Sequence, residues 1–281
     1  MKIAVASGKG GTGKTTVSTN LARVLSQNRP VQYIDCDVEE PNGHLFLKPQ
    51  ISETIAVETQ VPEIDESICA HCGECSAFCA YNALAFLGTL TLVFPELCHS
   101  CGGCALVCPT HAMSEVGKSI GVVRIGVSDK LAFADGVLNV GQAQSPPLIR
   151  ALRKYIFEDH LVIIDAPPGT SCPVVTSLRD ADIVVMVAEP TLFGLNDLKL
   201  AVDMVRELGL AFGVLINRYD MGDDRVEAYC AEQNIPIWGR IPNDIRIAKN
   251  YSTGMMAVDM LPDIADLFIE IAARILAEAE K

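Results

Sequence analysis

The 281-residue sequence is short of charge, of basic side chains and of long apolar runs. Only 20% of it is charged against 49% hydrophobic, which excludes a disordered chain and leaves ample material for a buried core. Its 22 Lys and Arg face 35 Asp and Glu, for a net charge of −13. That balance argues against nucleic acid or an anionic membrane surface as a partner, because both demand clustered positive charge. The apolar stretch of roughly 18 residues that a membrane-spanning helix needs does not occur. The start, MKIAVASGKG, has one basic residue and no long apolar run before its first glycine, so a signal peptide is not expected and a cytoplasmic location is. Cysteine is plentiful, at eleven. In a reducing compartment such residues serve more often as metal ligands or redox groups than as disulfides.

Cys69, Cys72, Cys75, Cys79, Cys98, Cys101, Cys104 and Cys108 crowd into one window, while Cys36, Cys172 and Cys230 are scattered. Between Gln60 and Glu115 there is no Lys or Arg, and Glu63, Asp65, Glu66, Glu74, Glu96 and Glu115 are its only charges. This composition marks residues 60–115 as an inserted unit within a discontinuous domain of 1–59 and 116–281. Outside the window, apolar and β-branched runs at Ile3–Ala6, Val31–Asp35, Val122–Val127, Leu161–Ile164, Ile183–Val187 and Phe212–Ile216 read as strands. They alternate with amphipathic stretches at Lys14–Gln27, Leu195–Leu208 and Pro262–Glu280. The fold class is therefore α/β, with a doubly wound, mainly parallel sheet.

After the first run comes Gly8-Lys9-Gly10-Gly11-Thr12-Gly13-Lys14-Thr15-Thr16. Glycines let successive backbone N–H groups turn onto a phosphate chain, and the following helix points its positive end at the same charge. Lys14 is placed to reach the outer phosphates and Thr15 to ligate Mg²⁺. The same glycines also fit a dinucleotide fingerprint, with Asp35 near the expected ribose position. Lys14-Thr15 and a second metal-type acid, Asp165, before Ala-Pro-Pro-Gly favour a nucleoside triphosphate, ATP with Mg²⁺.

Cys69-x2-Cys72-x2-Cys75-x3-Cys79 is followed by Cys98-x2-Cys101-x2-Cys104-x3-Cys108-Pro109, the bacterial ferredoxin spacing written twice. In that pattern the fourth cysteine crosses to the other cluster. Cys69, Cys72, Cys75 and Cys108 are expected to bind one [4Fe–4S] cluster, and Cys79, Cys98, Cys101 and Cys104 the second. Zinc needs only four ligands and would leave half the thiols unused. Ala80 stands where a proline is expected after Cys79, which removes a turn constraint but no ligand. His71, His99 and His111 read as loop residues beside a complete thiolate set.

The early lysine of the loop, Lys9, resembles the deviant Walker A ATPases of the MinD, ParA, Mrp and nitrogenase iron protein groups. Asp35-Cys-Asp37 resembles their switch I, Asp165-Ala-Pro-Pro-Gly169 their switch II, and Asn217-Arg218 their adenine-reading position, with Pro190-Thr191 following a later strand. With its cysteine unit, the chain is similar to MinD-superfamily ATPases carrying an inserted small α+β ferredoxin domain. The resemblance implies a dimer in which Lys9 reaches the partner's phosphates. It also implies that Asp37 orients the attacking water, Asp165 holds Mg²⁺ through water and Gly169 senses the γ-phosphate.

The function so implied is a slow, dimer- or partner-dependent ATPase, a homodimer or a heterodimer with a related ATPase. It would act in maturation or transfer of an iron–sulfur cluster or metal centre to an apo-metalloprotein. The alternative is an ATP-gated low-potential electron donor to a redox partner; either partner should present a positive face to the acidic unit. A spatial regulator of the MinD or ParA kind would need a basic patch or amphipathic anchor, which the sequence lacks. Cys172, three residues after Gly169, is expected near the dimer face, while Cys36 and Cys230 read as core thiols.

Overall fold

The apolar runs become strands of a single nine-stranded sheet in the computed structural model, which describes residues 1–280. The strands are β1 (Lys2–Ala6), β2 (Val31–Asp35), β3 (Gln50–Ile64), β6 (Met113–Ser128), β7 (Leu131–Leu138), β8 (Leu161–Asp165), β9 (Ile183–Ala188), β10 (Phe212–Asn217) and β11 (Ile237–Ile241); β4 (Leu84–Phe86) and β5 (Thr91–Val93) form a separate antiparallel pair. The order is β11-β10-β9-β1-β8-β2-β7-β6-β3. Every pairing from β11 to β7 is parallel. The helices are α1 (Lys14–Leu25), α2 (Gly43–Leu47), α3 (Glu74–Phe78), α4 (Gly103–Leu106), α5 (Pro146–Leu152), α6 (Cys172–Leu178), α7 (Leu192–Glu207), α8 (Arg225–Glu232), α9 (Ile245–Ser252), α10 (Ala257–Met260) and α11 (Pro262–Ala279).

The chain divides into two compact units, one of Met1–Thr54, Val123–Val137 and Ile149–Lys281, the other of Ile55–Val122 and Leu138–Leu148. The window 60–115 lies inside the second unit, which is longer than the composition shift suggests.

In the first unit, β2, β8 and β9 are buried along their whole length. Helices cover both faces, as a parallel sheet requires. One face packs Ile3, Val5, Ile163 and Val185 against Val17 and Leu21 of α1 and Phe268, Ile271 and Ile275 of α11. Each such side chain contributes about 1.5–3 kcal/mol of burial. Three strands of the nine-stranded sheet, β3, β7 and β11, fall outside the apolar runs. The first half of β3 is exposed and polar, β7 contains Asp135-Gly136, and β11 places Gly239 and Arg240 in a strand that ends the sheet. Helix α7 begins before the apolar periodicity does, because the Thr191 hydroxyl accepts the Gly194 N–H at 3.0 Å and caps it.

The sheet brings three acids into one row near the carboxyl ends of its strands. Asp35 is in register with Asp165 on one side and Asp135 on the other, and all three are fully buried. Arg124 forks onto Asp135, its Nε donating to Oδ1 at 2.9 Å and its Nη2 pairing with Oδ2. The Arg124 side chain is 28% exposed, so its loss admits some water. Arg124→Met is therefore expected to cost about 2–3 kcal/mol, below the usual range for breaking a fully buried pair. The double variant Arg124→Met/Asp135→Leu should recover most of that loss in urea denaturation. A single variant as stable as the parent would show that Asp135 does not need its cation.

Candidate functional site

The loop between β1 and α1 is shaped by contacts that only glycine permits. A Cβ at Gly8 would lie 2.1 Å from the Asp197 carbonyl oxygen, and one at Gly13 would lie 2.3 Å from Asn217 Nδ2. Gly11 and Gly13 hold φ of +82° and +89°. Gly13 directly precedes α1, so the unpaired N–H groups of the first helical turn face a cavity of about 410 Å³. That volume lies within the usual range for a small-molecule site.

The structure brings Lys9, Gly10, Gly11, Gly13, Lys14, Thr15, Thr16, Asp37, Asn217 and Arg218 to the wall of this cavity. Gly8 and Thr12 shape the loop instead of lining the cavity, and Asp165 is fully buried at the end of β8. The Thr12 hydroxyl is buried without a hydrogen-bond partner, so the loop holds an unused donor and acceptor. Gly169 has φ of +96° and donates its N–H to the Ser7 carbonyl at 3.0 Å. The Cys36 N–H reaches the Asp165 carbonyl at 2.8 Å. Both candidate switch segments are thus tied by backbone bonds, one to the loop after β1 and the other to the end of β8.

Lys14 Nζ donates to Asp165 Oδ1 at 2.6 Å. Burial alone would lower the Lys14 pKa, but Asp165 outweighs it and the ammonium titrates above its ordinary value. Asp35 is pushed well up by burial and by Asp165, although it accepts the N–H groups of Asp37, Asn42 and Gly43 at 3.1, 3.2 and 2.9 Å. The geometry suits a divalent cation and phosphate, since Lys14, the Thr15 hydroxyl, half-buried Asp37 and a helix N-terminus line one cavity, with Asp165 buried behind Lys14.

Three further site residues are engaged within the chain itself. Lys9 Nζ lies 3.9 Å from Glu189 and 4.0 Å from Asp197, with its side chain 35% exposed. Arg218 Nη1 donates to the same Glu189 at 2.8 Å. The Asn217 amide donates to the Thr12 carbonyl at 2.7 Å and accepts the Arg218 N–H at 3.1 Å, so it props the loop here. Sequence reasoning overlooked Glu189, Asp197, Asp135 and Tyr33.

In the second unit the cysteines gather in two cavities. One is lined by Cys69, Cys72, Cys75 and Cys108, the other, of about 200 Å³, by Cys79, Cys98, Cys101 and Cys104. All are free thiols. The repeat recurs in the backbone, because Gly73 and Gly102, each in the left-handed region, precede α3 and α4, which carry Cys75 and Cys104. Burial and the neighbouring thiols Cys72 and Cys108 push Cys75 up, and burial with Cys98 and Cys101 does the same to Cys104. Four sulfur donors around each cavity fit an iron–sulfur cluster by the chemistry of the donor set. His71 is not a plain solvated residue, since its Nδ1 is buried without a partner and its ring stands with Glu66 beside Cys69. Cys36 and Cys230 are buried, and burial pushes their thiols up to about 12 and about 11, whereas Cys172 is exposed at the start of α6.

A glycine loop between a parallel strand and a helix, with a buried lysine on an acid at the end of the adjacent strand, defines a P-loop nucleotide-binding domain. The chain belongs to the CobQ/CobB/MinD/ParA nucleotide binding domain family, whose model matches residues 3–258. It is 30% identical to uncharacterized protein MJ0578 of Methanocaldococcus jannaschii, over 96% of this chain and 95% of that one. It is 24% identical to the iron-sulfur cluster carrier protein of Aquifex aeolicus, over 96% of this chain and 65% of that one. Among solved structures, the cell division ATPase MinD of Pyrococcus furiosus matches with a TM-score of 0.60 over 98% of both chains at 22% identity, a likeness of fold.

Asp37 is the titrating group most exposed to test. Burial pushes its carboxyl up to about 6; Lys14 opposes the rise and Asp165 adds to it. A carboxyl raised on folding contributes stability at pH below its unfolded value, and that contribution disappears as pH rises through the folded one. Stability of the nucleotide-free protein should therefore carry a falling component between about pH 4 and 6. Asp37→Asn should remove it in urea denaturation across that range, and an unaltered slope would assign the titration to another group.

Proposed function

We propose that this chain is an ATP-binding and hydrolysing iron–sulfur protein, an ATP-switched dimer that serves maturation or transfer of an iron–sulfur cluster or metal centre. The observation that carries the reading is the coexistence, in one chain, of a P-loop cavity and two cavities each lined by four thiols. The likeness to iron-sulfur cluster carrier proteins adds support.

In this reading Lys14 and the loop N–H groups bind the β- and γ-phosphates, with Thr15 and Asp165 holding Mg²⁺. Asp37, at the cavity wall, orients the attacking water. Gly169 exchanges its bond to Ser7 for one to the γ-phosphate, which moves the segment after β8. Asn217 and Arg218 turn from the loop and Glu189 toward the adenine. Residues 60–115 act as the ferredoxin domain, Cys69, Cys72, Cys75 and Cys108 holding one [4Fe–4S] cluster and Cys79, Cys98, Cys101 and Cys104 the other. When bound, the two clusters supply one-electron chemistry. The complete thiol set around each cavity favours a second reading, an electron donor to a partner enzyme, since a cluster made for transfer is better served by few, exposed ligands. In either case the acidic window calls for a partner with a positive face, and salt should weaken the encounter.

Lys9 leaves Glu189 and Asp197 in this scheme and reaches the phosphates of the opposite protomer. Lys9→Ala is expected to abolish ATP-dependent dimerisation in light scattering and to lower ATP turnover by at least about 10-fold, as loss of a finger residue does. Retention of both would remove the trans role.

The two functional readings part in one experiment. Anaerobic protein loaded with labelled iron is mixed with an apo-acceptor, with and without ATP. Maturation predicts ATP-dependent movement of label to the acceptor. Label that stays bound while the acceptor is reduced would establish the electron donor instead.

A further inference from the structure

Tyr33 is a fully buried polar side chain that the scheme above does not use. It lies two residues before Asp35 on β2 and so on the same face of the sheet. Tyr33 pairs in register with Ile163, and Asp35 with Asp165. The long ring spans that offset and sets its hydroxyl on the Asp165 row. Its Oη donates to Asp165 Oδ2 at 2.8 Å and lies 3.2 Å from Ser18 Oγ on α1.

The ring has little freedom. Phe133 stacks on it with centroids 6.0 Å apart and planes 11° from parallel. A Cβ at Gly43 would lie 2.5 Å from the ring on another side, and Gly43 is also the residue whose N–H holds Asp35 at 2.9 Å. The surroundings are therefore built around one placement of this hydroxyl.

Asp165 has two oxygens and two side-chain partners, Lys14 on Oδ1 and Tyr33 on Oδ2. Binding of the outer phosphates draws Lys14 away. Asp165 would then be a buried carboxylate beside Asp35, with Tyr33 as its remaining side-chain donor. Such a group, left without a donor, turns away or takes up a proton. Held by Tyr33 on Oδ2, it keeps Oδ1 directed toward the place that Lys14 vacates.

We propose that Tyr33 is a positioning residue of the nucleotide site, which orients Asp165 for Mg²⁺ once Lys14 has moved to the phosphates. The inference rests on the assignment of Asp165 to Mg²⁺ made above. Its test is the Mg²⁺ dependence of ATP affinity in the full chain, measured by titration calorimetry and not by turnover.

For the parent chain, ATP affinity should rise with Mg²⁺. In Tyr33→Phe the Mg²⁺ concentration giving half of that rise should increase about 10-fold, as loss of one hydrogen bond to a charged group implies. ATP affinity in EDTA should stay within about twofold, because the hydroxyl of Tyr33 meets Asp165 and Ser18 and not the groups assigned to the phosphates. Ser18→Ala keeps the Tyr33–Asp165 bond and should behave as the parent; an equal effect in Ser18→Ala would reduce Tyr33 to a packing role and overturn the proposal. If Tyr33→Phe does not fold, Phe133→Leu unstacks the ring while keeping its hydroxyl and should raise the Mg²⁺ requirement about threefold, with no rise overturning it. A parent chain whose ATP affinity ignores Mg²⁺ would remove the metal role of Asp165. A parent that responds, beside a Tyr33→Phe variant that responds equally, would remove Tyr33 alone.

Discussion

The ion pair between Lys14 and Asp165 is the interaction on which the rest of the site depends. Its side chains are 7% and 0% exposed, so both charges are largely withdrawn from solvent. Each ion taken out of water costs several kcal/mol, and only a close partner offsets that. Asp165 is also one of three buried acids side by side, Asp165, Asp35 and Asp135, each of which raises the cost of the next. Lys14 stabilises one end of the row and Arg124 the other. Asp35, in the middle, accepts the N–H groups of Asp37, Asn42 and Gly43. Those three bonds set the path of the loop after β2, and hence where Asp37 stands.

What could be read in the sequence was what the chemistry writes locally. The glycine loop with Lys14 and Thr15 and the duplicated cysteine spacing are contiguous because a phosphate chain and a thiol cage each need several groups from one short stretch. Strands β2, β8 and β9 were legible for a related reason, since burial on both faces leaves an unbroken apolar run. Strand β3 was not, because its exposed side chains alternate freely. Contacts that depend on register left no mark either. Tyr33 meets Asp165 across 132 positions, Asn217 meets Thr12 across 205, and Arg124 meets Asp135 across a strand pair. No residue type announces such a partner.

The second unit shows the opposite economy of structure. Helix α3 contains no buried residue and α4 only Gly103, while Phe78, Leu87 and Leu106 are 53%, 64% and 86% exposed. A segment of this size with so little core needs a staple, and disulfides are absent because the cysteines are free thiols. The crossed arrangement of the thiols answers that need. Cys79 follows the first repeat but lines the cavity of the second, and Cys108 does the reverse. Clusters held as proposed would tie both repeats together and so couple their binding to the folding of this unit.

The two lysines of the glycine loop are held very differently, and that difference orders events in the proposed switch. Lys14 sits at 2.6 Å from a buried acid and leaves it only when phosphate receives its charge. Lys9 rests about 4 Å from Glu189 and Asp197 at a partly hydrated rim, an interaction in the class worth about 0–1 kcal/mol. Glu189 also keeps Arg218 when Lys9 departs, so the acid is not stranded. The barrier to rearrangement therefore lies at Lys14. In the proposed switch nucleotide therefore enters each protomer first, and the release of Lys9 toward a second protomer follows at little cost. In that scheme Lys9 is held back by the absence of a phosphate target and not by its own loose contacts.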